Sequence, residues 1–266
     1  MSFMRFIPMF AVVLSGCVAS QRPVDVTVMT FNVRMGCGHD DPFVLAKGSF
    51  GYLPKCAEVI RRENPDFVAI QEIDCCTERA GGIDQTAVLA QLCGLYGTFV
   101  PKVPMKGGDY GLAILSREKP QRVDKVLIPG KVHTRCLMIC EFEDYIVANT
   151  HFPLSEEKCE TAASIVCREL YGRDKPVVLM GDFNSKPNSR AMEILGEMFE
   201  VVSDPSAPTW PAKAPRDVID YVMVDRRHVG SFKIGKPRVV SAPDATDHCA
   251  LVLTLGSDKE GGKWRE

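Results

Sequence analysis

Val177-Val178-Leu179-Met180-Gly181-Asp182-Phe183-Asn184 is the stretch on which the fold turns. Four consecutive apolar residues, two of them β-branched, read as a short strand buried on both faces. The run is too short for an ordinary helix. It stops at a glycine and gives way to an acid and an amide two residues apart, which face the same side of an extended backbone. A carboxylate just past the end of a buried strand reaches a solvent cleft without entering the core. Gly181 permits close backbone approach. Gly, Asp and Asn also form turns, so the stretch alone reads as a turn too.

The same pattern recurs outward along the chain. Val68-Ala69-Ile70, in a strand read over Phe67–Gln71, leads to Glu72, and Ile146-Val147-Ala148 leads through Asn149-Thr150 to His151. Val24 to Val33 alternates like a half-buried strand and reaches Asn32 near its end. Ile219-Asp220-Tyr221 sets an acid on a further apolar run. Thr246-Asp247-His248 precedes its apolar run, Ala250-Leu251-Val252-Leu253, instead of following it. If that last strand runs antiparallel to the others, six polar stations gather on one edge. Glu72 buried without a partner is costly, so it needs a cation or donors; a nearby arginine would serve equally. An acid such as Asp220 beside His248 fixes its tautomer and favours the imidazolium, a cation suited to an anionic transition state.

Helices and hairpins separate these runs. Pro54 opens a helix that Asn64-Pro65-Asp66 stops, Asp84 caps one that Gly94 ends, Ser155 starts a third, and Ser189–Met198 is a fourth. Thr98–Val103, Gly111–Ser116, Arg122–Ile128, Arg135–Phe142 and Tyr145–Asn149 are strands spaced closely enough for antiparallel hairpins. Val218–Val224, Ser231–Val239 and Ala250–Leu255 complete the set. A purely parallel doubly wound sheet fits this order poorly. Two packed mixed sheets with helices outside fit it better.

The 266 residues, 45% of them hydrophobic, are enough for one large domain, and 25% charged residues without low-complexity tracts argue against disorder. Lys and Arg number 32 against 34 Asp and Glu, so charge makes no case for a nucleic-acid partner. The N-terminus reads as a targeting segment. Phe6–Val13 is apolar but too short to span a bilayer, and Leu14-Ser15-Gly16-Cys17 resembles a bacterial lipobox with Cys17 as the lipidated residue. Residues 1–16 are thus expected to be a signal peptide, 17–24 a tether, 25–257 a single domain and 258–266 a polar tail. The implied location is the cell envelope, on a membrane through the lipid, and a monomer is expected. Of the eleven cysteines, ten remain after Cys17; no C-x-x-C occurs, which argues against a zinc knuckle. Cys75-Cys76 is the conspicuous pairing candidate, but most of the thiols read as small buried hydrophobes. A thiol nucleophile at Cys37 or Cys249 lacks an activating context.

Taken together and in this order, the six stations resemble the endonuclease/exonuclease/phosphatase superfamily over roughly residues 25–255. Gly181-Asp182-Phe183-Asn184 and Asp247-His248 are the most specific marks, with Asn32 and Glu72 in support. The resemblance implies a four-layered α/β sandwich and a Mg2+- or Mn2+-dependent phosphoesterase acting by in-line attack of water. It implies Glu72 as main metal ligand, with Asn32 and Asp247 at or near the metal. It further implies Asp182 on the attacking water, Asn184 and His151 on the phosphate, and His248, oriented by Asp220, as acid/base or charge stabiliser. The substrate is then a phosphodiester or a phosphorylated small molecule. A secreted scavenging nuclease is the alternative within the family, and a non-catalytic binding lipoprotein the alternative outside it. Ile73-Asp74 stands where abasic-site endonucleases carry a lysine behind the glutamate, which argues against DNA repair. Arg79 and Tyr110 are candidate substrate contacts, and Asp109 a candidate brace for His151.

Overall fold

The computed structural model describes residues 25–38, 51–130 and 134–257. The predicted signal peptide, Cys17, the tether and the polar tail lie outside the described residues.

Two mixed sheets carry the molecule. The first orders its strands β11 (Phe232–Ile234), β13 (Ala250–Ser257), β1 (Val26–Asn32), β2 (Phe67–Cys75), β4 (Gly108–Ser116) and β3 (Tyr96–Met105), with β12 (Arg238–Val240) also on β13. The second orders β5 (Arg122–Ile128), β6 (Arg135–Glu141), β7 (Ile146–His151), β8 (Val177–Asp182), β10 (Asp220–Asp225) and β9 (Phe199–Val201). Each sheet has one parallel pair, β1–β2 and β7–β8. A parallel pair needs a crossover, supplied by α1 (Leu53–Glu63) and α3 (Glu156–Leu170). The helices α2 (Gln85–Cys93) and α4 (Arg190–Gly196) complete the outer layers.

Strand alternation produces the layering. In β1, Val26 and Val28 enter the core between the sheets, while Met29 and Phe31 pack outward with Leu53, Ile60 and Leu89 of α1 and α2. In β8, Val178 and Met180 enter the same central core, while Val177 and Leu179 face Ala162, Val166 and Leu195 of α3 and α4. Three apolar clusters therefore separate four layers, and the strands that contribute to two clusters carry the unbroken apolar runs seen in the sequence. Each fully buried Leu, Val or Ile stabilises this packing by roughly 1.5–3 kcal/mol.

Local signals place the helices. Pro54 sits in the first turn of α1, and Asn64 takes the left-handed conformation at its end with φ 49°. The Asp84 carboxylate accepts the Ala87 N–H at 3.0 Å to cap α2, and Gly94 closes it at φ 67°. Two expectations need correction, and one strand was not foreseen. The β2 strand does not end at Gln71 but continues to Cys75 through a bulge at Glu72. Ser231–Val239 is not one strand: Gly235-Lys236-Pro237 divides it into β11 and β12, as a proline without an N–H would. The three-residue β9 had no visible signal.

Candidate active site

Register gathers the stations. His151 pairs with Asp182 across β7–β8, and Asp182 with Asp220 across β8–β10. In the other sheet β13 runs antiparallel to β1, which brings Asp247-His248 to the same edge as Asn32. The sheets are joined there by polar contacts. Gln71 Nε2 donates to Asn149 Oδ1 at 2.7 Å, and Asn149 Nδ2 donates to the carbonyls of Ile70 and Ala113 at 2.8 and 2.9 Å. Thr246 Oγ1 donates to the Asn32 carbonyl at 2.9 Å. Gln71 and Asn149 are thus the buried floor that fixes the spacing of the sheets, while Thr246 ties the segment before β13 to the end of β1 within one sheet.

Asp182 is the hub. Its Oδ2 accepts Asn32 Nδ2 at 3.0 Å and lies 3.6 Å from His151 Nε2 and 3.7 Å from His248 Nε2. Its Oδ1 accepts the Asn184 backbone N–H at 3.0 Å. The turn that allows this is tight: a Cβ on Gly181 would lie 2.2 Å from the Thr150 carbonyl oxygen, and Asn184 stands at φ 45°. Burial, reinforced by the negative charge of Asp220, pushes the Asp182 carboxyl up to about 7.

The two imidazoles differ in charge state. His248 Nδ1 is 3.0 Å from Asp220 Oδ2. Burial opposes its charge, but Asp220, with Asp182 and Asp247, outweighs burial and raises it to about 10. Asp220 keeps its other oxygen, Oδ1, buried without a hydrogen-bond partner. His151 is fully enclosed, and Arg135 Nη1 stands 3.3 Å from its Nδ1. A guanidinium only donates, so Nδ1 accepts and the proton sits on Nε2. Burial and then Arg135 hold His151 well below the ordinary range. It is a neutral donor, while His248 is a cation.

Glu72 is the bulged residue of β2, with φ 57°. Its Oε1 accepts the same Asn32 Nδ2 at 3.2 Å and lies 4.0 Å from His151 Nε2; its carboxylate also takes a hydrogen bond from the Tyr110 hydroxyl. Asn32 gives its amide nitrogen to both carboxylates, and its Oδ1 accepts the Arg34 N–H at 3.0 Å. Asp247 stands at the rim, with Arg34 Nε 3.5 Å away. Asn184 spends one side-chain N–H on the Phe152 carbonyl at 3.0 Å. Arg79 is engaged by Asp74 at 2.7 and 2.8 Å, and its guanidinium lies over the Tyr110 ring. Arg135, not Asp109, is the residue against His151.

Two carboxylates converging on one amide are an oxygen-rich anionic set of the kind that Mg2+ or Mn2+ takes. Asp182, Asp220 and His248 also present atoms within 4.8 Å of one another. There the His248–Asp220 bond and the imidazolium compete with ligation, since a ligating histidine must be neutral. The Glu72–Asp182 side fits a cation better. Cys37 is unfit as a nucleophile, its thiol raised by burial to about 11. All ten cysteines among the described residues are unpaired, six of them buried.

The sequence profile of the Endonuclease/Exonuclease/phosphatase family matches residues 29–248. The chain belongs to this family. An endonuclease/exonuclease/phosphatase of Beutenbergia cavernae superimposes with a TM-score of 0.70 at 23% identity, over 89% of this chain and 72% of that one. A family protein of Bacteroides thetaiotaomicron gives 0.72 at 15%, over 92% and 99%. A mannosyl-6-phosphatase of the same organism gives 0.69 at 16%, over 86% and 99%. At these identities the likeness is one of fold, and it agrees with the four-layered α/β sandwich. No curated protein matches by sequence.

Lys102 and Arg135 were not singled out in the sequence. Lys102 is 5% exposed, and its Nζ has no hydrogen-bond partner and sits 4.0 Å above the Tyr110 ring. Burial and then Arg135 push it down to about 7. The signal was a lysine in a strand segment that also holds Val100, whose side chain enters the central core. A lysine on an inward-facing position of a strand asks for an explanation.

Proposed function

We propose that the chain is a phosphoesterase that depends on Mg2+ or Mn2+ and hydrolyses a phosphodiester or phosphorylated small molecule by direct attack of water. Family membership supports the reaction class, and the solved relatives include a mannosyl-6-phosphatase. The observation that carries the reading is the convergence of Asn32, His151 and His248 on one oxygen of Asp182, beside Glu72.

Glu72 is the chief residue to hold the cation, with Asp182 and Asn32 beside it and Asp247 at the rim; when bound, the metal would supply positive charge at a phosphate oxygen and acidify water. The chain's own groups do the rest. Asp182, raised to about 7, is a base suited to neutral pH and takes a proton from the attacking water. The new P–O bond forms as the opposite ester bond breaks. His151 Nε2–H, neutral and fixed in tautomer, donates to a nonbridging oxygen, and Asn184 supports another. His248, held as a cation by Asp220, stabilises the developing charge or gives its proton to the departing alkoxide. The Nε2 atoms of both imidazoles stand too far from Asp182 for direct hydrogen bonds, so each is left to meet an oxygen in the cleft.

The test is hydrolysis of p-nitrophenyl phosphate, bis-p-nitrophenyl phosphate and a panel of natural phosphoesters, with Mg2+ or Mn2+ against EDTA. Metal-dependent turnover is expected. Turnover indifferent to EDTA would remove the metal, and inertness of the metal-loaded protein across the panel would leave a binding lipoprotein instead. Anchoring at Cys17 in the cell envelope belongs to the same proposal, supported by Leu14-Ser15-Gly16-Cys17. It predicts incorporation of labelled palmitate that Cys17→Ala abolishes.

A further inference from the structure

Two bulges flank one residue of β4. On one side the register steps from Gln71–Leu112 to Ile73–Gly111, and on the other from Pro101–Gly111 to Val103–Tyr110. The extra residues are Glu72 and Lys102, and both bulges meet β4 at Gly111. A bulge turns its extra side chain out of the regular alternation. The backbone is close-packed at this joint: a Cβ on Gly111 would lie 2.1 Å from the Val100 carbonyl oxygen. One local device thus sets an anion and a cation on the two strands that flank β4.

Their states differ. Glu72 has Asn32 and Tyr110 as donors. Lys102 has three N–H groups, none bonded within the protein, on a buried side chain with only an aromatic face for compensation. Lys102 Nζ lies 4.0 Å above the ring of Tyr110, whose hydroxyl bonds Glu72, which sets it beside the reaction site; Arg135, Glu72, Cys136 and Asp182 act on its charge. Arg135 completes the wall, with Nη1 on His151. Two basic side chains that oppose each other's charge, one of them unpaired, are relieved by an anion bound between them.

We propose that Lys102 and Arg135 form a subsite for the unesterified oxygens of a terminal phosphate, and that the substrates are phosphomonoesters rather than diesters. This rests on the phosphoesterase reading above. A monoester dianion carries one more charge and one more free oxygen than a diester, and a lysine and a forked guanidinium can bond both. A diester would press an ester group against a buried ammonium and leave it unpaired.

The decisive measurement is calorimetric binding of inorganic phosphate and of dimethyl phosphate to the full chain in EDTA at about pH 7. Wild type, Lys102→Met and Lys102→Arg are compared. Wild type is expected to favour phosphate. Lys102→Met should weaken phosphate roughly 10- to 100-fold, the range for a hydrogen bond to a charged group, with partial recovery in Lys102→Arg. Dimethyl phosphate should change less than about threefold. The melting temperature of Lys102→Met should equal or exceed that of wild type, because an unpaired buried charge is gone. Equal phosphate affinity in wild type and Lys102→Met, equal losses for both anions, or no phosphate binding by wild type would overturn the subsite. Binding needs no turnover: Lys102-dependent phosphate binding in a protein that hydrolyses nothing would sustain the subsite and sink the hydrolase. In active protein, the ratio of kcat/KM for p-nitrophenyl phosphate over the diester should fall at least about tenfold in Lys102→Met, and an unchanged ratio counts against the proposal.

Discussion

His248 and Lys102 are both buried cationic side chains near Asp182, and they are treated in opposite ways. His248 is held by Asp220 at 3.0 Å and raised to about 10. Lys102 has no hydrogen-bond partner and is depressed to about 7. A cation that carries its own counter-charge is oriented before any substrate arrives. A cation without one has its electrostatic need met only when an anion binds. In the proposed reading, the difference separates the wall that performs proton chemistry from the wall that selects the substrate.

The hardest blow to this comparison falls on the group between the walls. Asp182→Asn keeps the hydrogen bond from the Asn184 N–H but removes the base, and turnover should drop by roughly 10²- to 10⁴-fold. Relative to wild type, the variant should gain stability as pH rises from 3.8 to about 7. A carboxyl with a raised folded pKa favours the fold below its ordinary 3.8, and that advantage is lost as pH rises through about 7. Turnover within tenfold of wild type would show that another group takes the proton.

Asp220→Asn tests the partnered wall. Burial of His248 then acts against its charge with its main support gone, so its titration should move from about 10 to well below that value. Loss of one member of a buried pair should cost roughly 3 kcal/mol, and turnover should fall about 10²-fold. Nitrogen-15 NMR of the imidazole reads the shift directly. A His248 titration unchanged in this variant would mean that Asp182 and Asp247 suffice to hold the charge.

The partnered wall was legible in the sequence and the unpartnered one was not. Asn32, His151, Asp182 and His248 come at or next to the ends of apolar runs, and strand ends survive a coarse reading because burial fixes the register. Asp220, too, stands at the edge of its run. The layering was legible for the same reason, from alternation and the spacing of hairpins. Lys102 and Glu72 owe their aim to bulges, which add one residue to one strand only. Glu72 was found because a carboxylate stood directly against an apolar run, although its strand was expected to stop before it. Lys102 follows Pro101 in what reads as an edge segment, where a lysine ordinarily protects against pairing. Arg135 opens β6, whose hairpin with β7 was expected, but the register that sets it against His151 was not legible. Contacts across strands, and side chains re-aimed by a single extra residue, were the parts that required coordinates.

The smallest effect separates the two cations in one experiment, the pH dependence of stability in EDTA. His248, raised from 6.5 to about 10, lends stability that is full below about 6.5 and lost as pH rises through 10. Lys102, lowered from 10.5 to about 7, acts with opposite sign: its contribution is full above 10.5 and lost as pH falls through 7. From pH 7 upward the two slopes oppose each other in wild type. Lys102→Met should leave the His248 slope exposed, so its stability relative to wild type declines with rising pH. His248→Ala should leave the Lys102 slope, so its relative stability improves. The buried thiols complicate the absolute curves once unfolded cysteine ionises, ordinarily near 8.5. They are common to all three proteins and cancel in the differences, which are best read between about pH 7 and 8.5. Shifts of a few degrees are expected. Three parallel curves would mean that the two cations do not differ in the way their partners imply.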